Sequence, residues 1–247
     1  VSPDPGTPTY THDAAGNVLT ETDAKGQTTT YTYDALNRLT SATHASGSVI
    51  TYTYDTAENG IGRLARVTDK SGHTAFEYDP HGRTTARHQT IRAEGQEYTL
   101  STRYRYDSAG RLVGLTYPSG LEVDYGYENG HITEIIVNGQ TLLSNATYEP
   151  FGPLSGWAWG NGQQALRGYD LDGRLITQSL GTGQRQLSYD AAGNITAIDG
   201  THTDSAFTYD ALDRLESAND PDFELAWRYD ANGNRLERTD DLKGLIT

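Results

Sequence analysis

The side chains with chemical capacity in this chain are carboxylates, and they recur on a beat. Asp34, Asp55, Asp79 and Asp107 each follow a tyrosine, at Tyr33, Tyr54, Tyr78 and Tyr106. The same pair returns at Tyr169-Asp170, Tyr189-Asp190, Tyr209-Asp210 and Tyr229-Asp230, with glutamate versions at Tyr127-Glu128 and Tyr148-Glu149. Paired carboxylates can serve acid–base catalysis or hold hard cations. A residue required once in every copy is explained more simply by the architecture of the copy. Asp170-Leu171-Asp172-Gly173 opens like a calcium loop but lacks the ligand series that ends in glutamate.

Other chemistry is thin. Cysteine is absent, which removes thiol nucleophiles, thiolate metal sites and disulfides. The histidines (His12, His44, His73, His81, His88, His131 and His202) are scattered without metal-type spacing and read as turn or surface residues. No nucleophile elbow, phosphate loop or dinucleotide fingerprint occurs. The expectation is therefore a protein with no catalytic residue, cofactor or metal of its own. Trp157 and Trp159, two apart in an aromatic, glycine-rich stretch, are the speculative binding residues. They can form a sugar-stacking platform or an interface anchor, or they can fill the packed face of a strand. Asn145-Ala146-Thr147 and Asn194-Ile195-Thr196 fit the glycosylation sequon, which matters only in a eukaryotic secretory host.

The formal net charge of −14 disfavours nucleic-acid backbones and anionic membrane surfaces, and it favours solubility. No apolar run is long enough for a membrane helix, and nothing resembles a signal peptide, so any export signal is expected outside this piece. Methionine is missing even at position 1. The chain reads as a fragment of a larger protein.

Those tyrosines must be positioned by a repeating element. With a degenerate first copy at His12-Asp13 there are eleven copies, at spacings of 20 to 28 residues, mostly 20 or 21. The unit is Tyr-x-Tyr-Asp, two variable residues, Gly or Asn, then often Arg-Leu. Aromatics two apart share one face of a strand. Aspartate opens a turn because its carboxylate accepts from the backbone N–H groups ahead of it. Three residues on, Gly or Asn supplies the positive φ of a three-residue hairpin loop. That loop pairs Asp34 with Arg38 and Tyr33 with Leu39, and places Tyr and Leu on one face with Asp and Arg on the other.

A second turn is expected about ten residues later in most copies, at Lys25-Gly26, Ser46-Gly47, Ser71-Gly72, Ser119-Gly120, Asn138-Gly139, Asn161-Gly162, Thr182-Gly183, Asp199-Gly200 and Asp220-Pro221. Two turns per copy give a meander of about 22 short strands with almost no helix. Residues 84–103 inflate the longest copy as a protruding loop or a longer hairpin. Open twisted sheets rarely exceed about ten strands without curling, so the expected fold is all-β, one long curled or spiralling antiparallel sheet. Residues 1–247 are expected to be a single array. Leu, Ile, Val and Phe make up about 17 % of the chain, which suits a sheet one layer thick, built on 17 tyrosines.

The pattern Tyr-x-Tyr-Asp-x-x-Gly-Arg-Leu, clearest at Tyr31 to Leu39, Tyr104 to Leu112 and Tyr169 to Leu175, resembles the YD repeat of RHS-family proteins. The family includes bacterial polymorphic toxins, BC components of insecticidal toxin complexes, and the repeat region of teneurins. The resemblance implies a secreted β-strand shell around a C-terminal toxin domain, with that passenger and the remaining shell as partners. Teneurin-like adhesion implies the alternative of a carbohydrate- or protein-binding module. Open sheet edges would allow self-association.

Overall fold

The computed structural model describes residues 8–150, 152–200 and 204–242, with the backbone alone for Leu180 and Leu242; His202 lies outside them. Among the described residues every regular element is a strand. The chain divides into two compact units, residues 1–124 and 125–247.

The first unit holds β1 (Thr9–His12), β2 (Val18–Thr22), β3 (Thr28–Tyr33), β4 (Leu39–Thr43), β5 (Val49–Tyr54), β6 (Leu64–Asp69) and β7 (Gly72–Tyr78). It continues through β8 (Thr84–Ala93), β9 (Gln96–Tyr106), β10 (Leu112–Thr116) and the start of β11 (Glu122–Glu128). The second unit holds β12 (His131–Val137), β13 (Gln140–Tyr148), β14 (Leu154–Trp159), β15 (Gln164–Tyr169), β16 (Leu175–Leu180) and β17 (Gly183–Tyr189). It ends with β18 (Ile195–Gly200), β19 (Ser205–Tyr209), β20 (Leu215–Asn219), β21 (Phe223–Tyr229) and β22 (Arg235–Leu242). Within each unit, consecutive strands pair antiparallel, as hairpins laid side by side. In the first unit β1 pairs with β2, and in the second β22 pairs with β21.

The register carries a feature that alternation does not predict. Tyr33 faces Leu39, yet Thr32 faces Ser41, so Thr40 is an extra residue. The same one-residue bulge follows the strand's opening residue at Ala65, Thr85, Val113, Ile176, Thr196, Glu216 and Leu236. A bulge bends its strand and increases local twist. Its recurrence at one place makes it part of the repeat.

The second turns mostly fall where the sequence puts them. Gly26, Gly47, Gly120, Gly139 and Gly162 all take positive φ. Two differ by one residue. Gly181, with φ 58, opens the turn expected at Thr182-Gly183, and Gly183 already belongs to β17. Likewise Gly72 pairs with Asp69 as the first residue of β7, leaving the turn to Lys70 and Ser71. In each case a shorter loop lets one more residue enter the ladder. Asp199 and Gly200 end β18, and the residues after them are not described. Residues 84–103 lie in the hairpin of β8 and β9, the longest strands of the first unit.

The interior is thin. The buried apolar residues among those described are mostly alanines, including Ala42, Ala65, Ala86 and Ala218, and no large side chain is fully buried. Hydrogen bonding must therefore hold what aliphatic burial does not.

Candidate functional site

The repeated Tyr-Asp pair is the chemically organised part of the molecule. At the turn after β3, the Asp34 backbone N–H donates to the Arg38 carbonyl (3.0 Å) and the Asn37 N–H to the Asp34 carbonyl (3.0 Å). Asn37 takes φ 59 as the position requires. The carboxylate completes the turn. Its Oδ1 accepts from the backbone N–H groups of Leu36 (2.8 Å) and Arg38 (2.9 Å), and its Oδ2 from Arg38 Nε (2.7 Å). Asp170 and Asp210 accept from the corresponding three donors. At Asp13, Asp190 and Asp230 an asparagine replaces the arginine and its Nδ2 supplies the third bond. The turn following Asp210 uses Asp213 itself, at φ 57, where the sequence pattern predicts Gly or Asn.

These contacts lower the carboxylates' pKa values from the usual one. The backbone N–H of Arg38 is the main cause at Asp34, opposed by burial and aided by the guanidinium. At Asp13 and Asp230 the side-chain amide of the asparagine comes first. A carboxylate held ionised by three donors is a poor general acid or base. Its chemistry is consumed by the turn.

The tyrosine hydroxyls have a destination the sequence does not announce. Each reaches back over the preceding hairpin to a main-chain carbonyl: Tyr33 to Val18 (2.9 Å), Tyr54 to Leu39 (3.0 Å), Tyr78 to Leu64 (2.6 Å) and Tyr106 to Thr84 (3.0 Å). Tyr148, Tyr169, Tyr189, Tyr209 and Tyr229 do the same to Ile132, Leu154, Leu175, Ile195 and Leu215. Burial raises the Tyr78, Tyr106 and Tyr209 hydroxyl pKa values, which keeps the donor proton in place.

The arginines close the link. Arg38 lies 4.4 Å over the Tyr54 ring, Arg83 4.8 Å over Tyr106, Arg174 5.1 Å over Tyr189 and Arg214 4.8 Å over Tyr229. This corrects the expectation that Arg and Tyr occupy opposite faces. The long arginine side chain, steered by its aspartate and freed from strict alternation by the loop, reaches the next copy's ring. Arg38 also forks onto both oxygens of Asp55 (3.0 and 2.6 Å). Asn17 and Asn194 reach forward more modestly, to Asn37 Oδ1 and Asp213 Oδ1 (both 2.9 Å). Nine copies are thus tied to the one before by a hydroxyl–carbonyl bond, and those at Tyr54, Tyr106, Tyr189 and Tyr229 by a stacked cation as well, worth about 1 kcal/mol each.

Trp157 and Trp159 sit on β14 with rings 5.4 Å apart and nearly perpendicular. Trp157 is half-buried opposite Ala165, and Arg167 lies 5.0 Å over its ring. Trp159 is 39 % exposed and borders an open recess of about 790 Å³ with Gln140, Leu142, Asn161 and Gln163. Gly160 is obligatory there, since a Cβ would stand 1.9 Å from the Thr141 carbonyl oxygen. Among the described residues no group of His, Asp or Glu could hold a metal ion, and no helix is long and apolar enough to cross a membrane.

The RHS Repeat family pattern matches residues 12–49, 59–96, 90–122, 106–141, 169–204 and 189–222. Double-stranded DNA deaminase toxin A of Burkholderia cenocepacia (strain H111) is 30 % identical over 196 residues, which cover 73 % of this chain and 12 % of that protein. Toxin protein Tse5 of Pseudomonas aeruginosa is 28 % identical over 169 residues, covering 63 % of this chain and 12 % of that one. The chain therefore spans about an eighth of the curated relatives it matches. Among solved structures, the TcdB2-TccC3-Cdc42 crystal structure aligns over 100 % of this chain and 16 % of its own, with a TM-score of 0.86 at 17 % identity. The Photorhabdus luminescens Tc holotoxin pore with the TccC3-D651A mutation aligns over 96 % of this chain and 16 % of its own, with a TM-score of 0.70. By its Tyr-Asp turns, its consecutive hairpins and these matches, the chain belongs to the RHS repeat family.

Proposed function

We propose that this chain is a wall segment of a secreted RHS shell that encloses or carries a C-terminal toxin passenger. The observation that carries the reading is the copy-to-copy link. Nine tyrosines anchor successive hairpins through main-chain carbonyls, and the turn carboxylates are spent on local donors. A wall needs such continuity; an active site needs a carboxylate left free. Support also comes from relatives whose names mark them as toxins. In this reading residues 1–247 are one array within a longer parent, the segment performs no catalysis, and any enzymatic step belongs to the passenger. Its partners are the passenger and the neighbouring shell. Removed from the parent, it self-associates through the open edge of β1.

The test is the coding region on both sides of the chain, followed by protease treatment of the intact parent. Further YD copies and a downstream domain of different sequence, shielded from protease until the shell is opened, are the expected result. A parent with no such domain, or one cut at once, would reject the reading.

The exposed Trp159 ring, flanked by the amides of Asn161 and Gln163, favours a second reading as a carbohydrate-binding module. A glycan array with the wild type and Trp159→Ala decides it; signals unchanged by the substitution would remove Trp159 from consideration.

A further inference from the structure

The arginines of the Tyr-Asp turns meet carboxylates, but two half-buried arginines of the second unit do not. Arg167 on β15 faces Gln178 on β16, which in turn faces Arg185 on β17. The three side chains therefore stand in one row across adjacent strands, on the face that Tyr169 and Tyr189 share, with the arginine backbones about 9.5 Å apart. Among the described residues neither guanidinium has an ion pair, and the Nε of each is buried without an acceptor. Beside them the indole Nε1 of Trp157, under the Arg167 stack, is also buried without an acceptor.

The three buried donors are closed to solvent, so an incoming group can reach only the outer Nη groups of the two guanidiniums. Elsewhere in the same repeat the arginine Nε always finds its aspartate when one stands four residues earlier, as at Asp170 and Arg174. At Arg167 and Arg185 those positions hold Gln163 and Gly181. The local carboxylate is missing where the donors are concentrated.

We propose that Arg167, Gln178 and Arg185, backed by Trp157, form a docking site for a carboxylate side chain of an extended acidic peptide. Resting on the shell reading, the site deepens it: the occupant is a segment of the passenger. With Nε closed off, a carboxylate matches the outer Nη pair of a guanidinium in planar, two-point geometry. The net charge of −14 repels polyanions such as nucleic acid, whereas a single carboxylate between two cations is locally favoured. Gln178 lies between the arginines, where its amide can donate to the same group.

The experiment is fluorescence anisotropy at low salt, with the full chain and a labelled peptide alternating Glu and Ser. The comparison peptide carries Gln for Glu. Tenfold or weaker binding of the Gln peptide is expected, together with a loss of about tenfold in Arg167→Gln and in Arg185→Gln, and no change in Arg228→Gln. Far-ultraviolet dichroism checks that each variant keeps its strands; Arg167→Lys, which retains the charge without the fork, replaces any variant that unfolds and should still lose severalfold. Equal binding of the two peptides would overturn the site, as would binding indifferent to both arginines. Displacement by inorganic phosphate as readily as by acetate would overturn the peptide assignment in favour of a simple anion site. A passenger shielded in the parent while this peptide fails to bind removes the site and leaves the shell reading standing. Peptide binding by a chain whose parent has no passenger does the reverse.

Discussion

The two ends of the β8–β9 hairpin are held by different physics. At its base, the Thr84 carbonyl accepts the Tyr106 hydroxyl, Ala86 is 0 % exposed, and the Asp79 carboxylate binds the Arg83 backbone N–H and Nε at 2.9 and 2.6 Å. At its tip, residues 93–100 are all exposed, and Arg92 meets Glu97 at 2.9 Å in solvent. The base is bonded to the neighbouring copies as well as to itself; past the Arg92 backbone N–H, which donates to the Ser71 carbonyl at 2.7 Å, the tip has its own ladder, the Arg92–Glu97 pair and a tight Glu94-Gly95 turn, with φ of 53 and 74. Stability in this fold therefore concentrates along the Tyr-Asp edge, while hairpin length beyond that edge adds reach more than strength.

Acid should break the comparison most completely. Ten aspartates, among them Asp34, Asp107, Asp190 and Asp230, have folded-state pKa values lowered below the ordinary 3.8. A lowered folded value contributes stability that is fully present above the unfolded value, near pH 4, and is lost as pH falls through the folded values. Dichroism against pH should be flat from neutrality to about pH 4 and then fall cooperatively. A transition centred near pH 6 would mean that the turn carboxylates are not what fails.

A single carboxylate comes next. Asp170→Ala removes the acceptor of three donors in one turn. Hydrogen exchange of the β15–β16 hairpin should accelerate by roughly two orders of magnitude, the sum of a few ordinary hydrogen bonds. Tyr189→Phe keeps the ring beneath Arg174 but strands the Leu175 carbonyl, at a cost of about 1 kcal/mol in urea titration. The smallest effect belongs to the tip, where Glu97→Ala should change stability by less than about 0.5 kcal/mol, as exposed ion pairs usually do. A tip substitution as damaging as Tyr189→Phe would abolish the distinction between the two ends.

Much of this was legible in the sequence because the turn chemistry is local. The Asp34 carboxylate, the positive φ at Asn37 and the pairing of Tyr33 with Leu39 all lie within seven residues, where spacing constrains geometry. What escaped depends on the main chain or on neighbours. The acceptor of a tyrosine hydroxyl is a carbonyl, which leaves no mark on residue type. The bulge residue is Thr40 in one copy and Ala65 or Glu216 in others, so composition does not flag it. Strict alternation puts Arg38 opposite the tyrosines, but the loop breaks that alternation and the side chain reaches the Tyr54 ring. The Arg167 and Arg185 pair did have a signal, the absence of an aspartate four residues before each, but only the register of three strands brings them together.

Because the tyrosine hydroxyls bind peptide oxygens, the residues that offer those oxygens are interchangeable. Val18, Thr84, Ile195 and Leu215 all serve, and none contributes its side chain to the bond. For this bond the accepting position can change its side chain without a matching change in the next copy. The hydroxyl bond thus asks for a tyrosine on one side and only a peptide group on the other.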